Sequence, residues 1–75
     1  FNPTTQLRYD LSSESQVRLT VLNSLGQEIA QLVNDHQPAG TYSFTWDAAG
    51  YSSGTYYLEL TTANQKFVRK MLLVK

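Results

Sequence analysis

Apolar side chains recur at every second residue in four separate stretches of this chain. A side-chain period of two belongs to strands with one dry face. Leu7, Tyr9 and Leu11 alternate with Arg8 and Asp10, and Val17, Leu19 and Val21 alternate with Arg18 and Thr20. Tyr42, Phe44 and Trp46 alternate with Thr41, Ser43 and Thr45, and Tyr56, Leu58 and Leu60 with Tyr57, Glu59 and Thr61. A helical arrangement would break at Pro38, Gly40, Gly50 and Gly54, leaving fragments too short to be stable. The pattern predicts an all-β fold in which two antiparallel sheets pack face to face. Tyr9, Leu19, Val21, Phe44, Trp46, Leu58 and Leu60 are its expected core.

The turns are written in chemistry as well as in pattern. In Asn23-Ser24-Leu25-Gly26 the asparagine can hydrogen-bond backbone two residues on, and glycine takes a left-handed conformation at no steric cost. The partner strand after it is Gln27 to Val33, with Ile29 and Leu32 as its inward residues, although its apolar spacing also suits a short helix. Asn34 to Gly40 reads as a loop by composition, Asp47 as a residue that turns the chain after its strand, and Ala63-Asn64-Gln65 as a short turn into a last strand from Lys66 to Lys75. Six or seven such strands make an immunoglobulin-like β-sandwich the expected architecture.

Seventy-five residues make one domain, 1–75. A domain of this size is marginal alone, and with no cysteine its stability must come from packing. The single histidine, His36, and the absence of thiols exclude a closed zinc site of ordinary composition, and no cofactor is expected. Six basic and six acidic residues cancel, which does not suit a nucleic-acid partner. No apolar stretch approaches the roughly 20 residues that span a bilayer, so no membrane insertion is expected. Phe1-Asn2-Pro3-Thr4-Thr5 is neither basic nor followed by an apolar core, so it is no signal peptide, and the chain reads as a piece of a longer protein.

Catalysis finds little to build on. His36 beside Asp35 would need a serine on a rigid turn, and no Gly-x-Ser-x-Gly occurs. Asp10, Glu14, Asp35, Asp47 and Glu59 are scattered over turns and outward positions. The four glycines stand too far apart to cradle a phosphate. Among the aromatics, Tyr57 together with Tyr51 offers a platform for a sugar ring or a partner, against the alternative of ordinary surface tyrosines. In the last strand, Arg69-Lys70 precedes the apolar run Met71-Leu72-Leu73-Val74, and Lys75 follows. That run fits a central strand covered on both faces, or a face that waits for a partner.

Taken in order, these segments resemble a known family. Asn2-Pro3, Leu7-Arg8-Tyr9-Asp10-Leu11, Val17-Arg18-Leu19-Thr20-Val21 and Leu25-Gly26-Gln27-Glu28 look like the C-terminal sorting domain of the type IX secretion system. So do Pro38-Ala39-Gly40-Thr41-Tyr42, Trp46-Asp47-Ala48, Ser53-Gly54-Thr55-Tyr56-Tyr57 and Lys70 through Lys75, while the family's usual Tyr-Pro-Asn-Pro lead-in is missing. The resemblance implies a non-catalytic sorting and surface-attachment module, carried through the periplasm to the cell surface behind an upstream cargo domain of the same chain. Its implied partners are the outer-membrane translocon and a surface sortase. Its implied recognition residues are Gly54, Tyr56, Lys70, Met71, Leu72, Leu73, Val74 and Lys75. Two alternatives stay open: a structural assembly domain like the immunoglobulin-like domain of the flagellar hook-capping protein, and an accessory carbohydrate-binding module of a polysaccharide-degrading enzyme.

Overall fold

A computed structural model describes residues 3–74. Among them are six strands and no helix: β1 (Thr4–Leu11), β2 (Ser15–Leu22), β3 (Glu28–Gln37), β4 (Gly40–Asp47), β5 (Gly54–Thr61) and β6 (Lys66–Leu73). All pairings are antiparallel. β1 and β4 form one sheet, and β3-β2-β5-β6, in that spatial order, form the other. The expected immunoglobulin-like sandwich is present, with two strands facing four.

The core follows from the alternation. Val17, Leu19 and Val21 of β2 are fully buried between their neighbours β3 and β5, and Tyr56, Leu58 and Leu60 of β5 lie on the same side. Tyr9, Leu11 and Trp46 close over them from the small sheet. Phe44 is only half-buried, contrary to expectation, and so is Leu7, its cross-strand partner. A sheet of two strands is all edge, and its central positions gain no flanking neighbour to cover them.

The turn chemistry holds. Asn23 Oδ1 accepts the backbone N–H of Leu25 at 2.9 Å and of Gln27 at 3.0 Å, and Gly26 takes φ of 82°. Asp47 Oδ1 accepts the Ala49 N–H at 3.0 Å. Thr62 to Gln65 close the last turn, which is pinned to the start of β2 where the Ala63 N–H donates to buried Ser15 Oγ at 2.8 Å.

One more expectation is corrected, and one open alternative is decided. Asn34 to Gln37 are not loop but the second half of β3, so the connection to β4 shrinks to Pro38 and Ala39. These polar residues are extended because β2 needs a partner there: Ser15 faces Gln37, and Gln16 Nε2 donates to Asn34 Oδ1 at 3.0 Å. β3 also departs from strict alternation, since irregularities opposite Leu19/Thr20 and Val21/Leu22 leave Ile29, Ala30, Leu32 and Val33 all packed against the core. Of the two readings left open for the last strand, the structure excludes the central one. Among the described residues β6 pairs with β5 alone and forms an edge of the large sheet.

Tyr9 bridges the two sheets. Its hydroxyl donates to Gln37 Oε1 at 2.7 Å, and its ring stacks on Tyr42 at 5.4 Å. Burial, reinforced by the neighbouring Tyr42, holds its phenol above the ordinary value of 10.0. A raised folded-state value means that the contribution of Tyr9 to stability is complete below about pH 10 and is lost as pH rises through the folded value. Melting temperatures between about pH 9 and 11 should therefore fall in the parent chain and fall less steeply in Tyr9→Phe. Parallel slopes for the two proteins would remove Tyr9 as the alkaline trigger.

Candidate functional site

The residues with catalytic potential are spread apart. His36 lies on β3 and not in a loop, and its Nε2 sits 3.2 Å from Glu14 Oε2 with both side chains exposed. Asp10 accepts the Thr41 hydroxyl at 2.7 Å, Glu59 meets Lys66 Nζ at 3.6 Å, and Asp47 is used in its turn. The described residues hold no group of three His, Cys, Asp or Glu side chains arranged to hold a metal.

The aromatic platform does not assemble. Tyr51 packs on Trp46 at 5.4 Å and on Tyr56 at 6.1 Å, as part of one aromatic cluster at the rim of the core. Tyr57 alternates with Tyr56 and points to the other face of β5, so the two tyrosines share no surface. Trp46, only 4% exposed, is core.

What does assemble is the β5–β6 ladder. Gly54 opens β5 opposite Leu73, Thr55 faces Leu72, and Tyr56 faces Met71, so two segments read separately in the sequence lie side by side. Within this ladder the roles divide by parity. Tyr56, Met71 and Leu73 are buried, and the Tyr56 hydroxyl donates to the Ser52 carbonyl at 2.6 Å. Val68, Leu72 and Val74 lie exposed on the outer face, Val68 at 57%, with Lys70 between them opposite Tyr57. Asn2 and Lys75 lie outside the described residues. Arg69 and Lys70 make no side-chain hydrogen bond or ion pair among the described residues.

This is an edge strand with large apolar side chains in water and unspent positive charge. Exposed apolar edges are templates for pairing with another chain. The signal was present in the sequence and missed: Lys66, Arg69 and Lys70 fall within one strand, and edge strands are where proteins place such charges to limit uncontrolled pairing.

A second feature lies on the opposite side of β6. A cleft of about 560 Å³ opens between the free edge of β1 and the overhanging strands β5 and β6. Leu7 and Leu11 wall it on one side, Leu58 and Leu60 form its floor, and Phe67 and Arg69 line its far side. Its lining joins these apolar side chains to the charged residues Arg8, Asp10 and Arg69.

Against known protein families, residues 2–66 match the FlgD Ig-like domain. Neither the curated proteins nor the solved structures contain a match to the chain. The matched span takes in β1 to β5 and ends at Lys66, the first residue of β6. With a two-sheet antiparallel sandwich and a family match over most of its length, the chain belongs to the FlgD Ig-like domain family.

Proposed function

We propose that this domain is a non-catalytic docking module, a structural assembly domain of the hook-capping kind that joins its parent protein to a partner. The observation that carries the reading is β6, an edge strand that shows Val68, Leu72 and Val74 to solvent beside Lys70, whose side chain has no hydrogen-bond or ion-pair partner among the described residues. Membership of the FlgD Ig-like family supports the assembly role. The parent protein carrying Val68→Asp should then elute free of its complex on size-exclusion chromatography, with the domain still folded. Retention of the complex by the folded variant would count against docking through β6.

A second reading is favoured by the same strand: a sorting address for the type IX system, read on Gly54, Tyr56 and Lys70 through Lys75. Its support is the basic-apolar-basic order of the tail, all of which lies beyond the family-matched span. The test is Lys70→Ala with Lys75→Ala. Lys70 is exposed, and exposed charges away from special features usually change stability by less than about 0.5 kcal/mol. A cargo fused to the double variant, in a host with a working type IX system, should collect in the periplasm instead of reaching the cell surface. Normal surface delivery by the folded double variant would leave the assembly reading alone.

A further inference from the structure

The two sheets are unequal in width, and the mismatch has a direction. β1 is paired with β4 from Thr4 to Leu11, and its other edge is paired with no strand among the described residues. Beyond that edge the large sheet continues outward through β5 to β6. Phe67 shows what this does. It shares the inward parity of Met71 and Leu73, yet it is 56% exposed where they are buried, because nothing in the small sheet reaches over it.

We propose that the cleft takes up one extended segment of a partner protein, added to β1 as a third strand of the small sheet. The segment would present alternating apolar side chains and a carboxylate. This rests on the docking reading and gives it a second surface, on the inner side of β6. Three features define the occupant. An unpaired strand edge satisfies its N–H and C=O groups best with another strand, and such added strands gain specificity from pockets for alternate side chains. Leu58, Leu60 and Phe67 supply an apolar floor for one face of that strand. Arg69 supplies the charge on the β6 side: it lies on the inward parity of β6, lines the cleft, and has no carboxylate partner among the described residues. On the β1 side Arg8 adds a second cation, and Asp10 accepts the Thr41 hydroxyl. An acidic side chain on the entering strand would meet Arg69.

A second copy of the chain fits less well. Joining two copies through their β1 edges would bring the overhanging β6 of each under the β1 of the other, into space already held by β5. Inserting the β6 of a copy would bring Arg69 and Lys70 against Arg69. A single acidic strand without a sheet beneath it avoids both conflicts.

The probe is the blocked peptide acetyl-Thr-Val-Thr-Val-Thr-Glu-Thr-amide, with both valines and the glutamate on one face, compared with its Glu-to-Lys form. Each is titrated into the 75-residue chain and followed by amide chemical shifts. Shifts should concentrate on β1 and on Phe67 and Arg69, and the Glu peptide should bind roughly fivefold more tightly than the Lys peptide at low salt, the scale of one exposed ion pair. In Arg69→Glu the order of the two peptides should reverse. Shifts on the outer residues Leu72 and Val74 instead of β1, or a peptide order indifferent to Arg69→Glu, would overturn the proposal. The readouts separate it from the docking reading. A parent complex broken by Leu72→Asp, an outer-face change away from the cleft lining, together with a β1 edge untouched by either peptide, rejects the cleft and leaves docking through β6 in place.

Discussion

Trp46→Ala is expected to leave the 75-residue chain largely unfolded at room temperature. Trp46 is the centre of an aromatic cluster, 5.4 Å from the ring of Tyr51 and 5.7 Å from that of Tyr56, and those two rings lie 6.1 Å apart. The cluster joins the end of β4 in the small sheet to the start of β5 in the large one. Removing the indole therefore takes away a contact between layers as well as buried area. Truncating a buried Trp costs about 3–5 kcal/mol, whereas small domains commonly have little more than ~5 kcal/mol in all. No disulfide is present to limit the loss. Thermal melts followed by circular dichroism would show it. A cooperative transition near the parent's temperature would mean that the cluster contributes little, and would reopen Trp46 as a surface residue with a ligand.

The sandwich was legible where side-chain parity or local turn chemistry decides structure. Val17, Leu19 and Val21 report their burial by alternation alone, and Asn23 with Gly26 forms its turn within five residues of chain. The readings that failed depend on partners distant in sequence. Asn34 to Gln37 look like a loop, but β2 supplies their hydrogen bonds and extends them. The candidate surfaces were hidden for the same reason. Met71-Leu72-Leu73-Val74 reads identically whether one face or two are covered, and only the strand order places β6 at an edge. The half-exposure of Phe67 depends on how many strands the opposite sheet holds, a quantity that β6 itself does not encode.

Leu73→Ala and Val68→Ala should behave very differently although both shorten an aliphatic residue of the same strand. Leu73 is 1% exposed and stands opposite Gly54, which has no side chain of its own to fill the space it leaves. A buried Leu→Ala change costs about 2–5 kcal/mol, depending on how far the site collapses. In a domain of this size about 1 kcal/mol lowers Tm by about 4–8 °C, so the melting temperature should fall by roughly 10 °C or more. Val68 stands on the outer face opposite Glu59, and its truncation should stay within about 0.5 kcal/mol. Because β5 is the one strand paired with β6 among the described residues, the Leu73 variant should open first at that edge. Amide hydrogen exchange would then accelerate along β6 before β2, whose two neighbours keep it protected. The contrast separates folding from docking in one strand: Leu73 secures β6 to the core, and Val68 is free to serve a partner. Equal losses from the two substitutions would mean that β6 is covered on both faces, and the outer stripe would no longer be a docking surface.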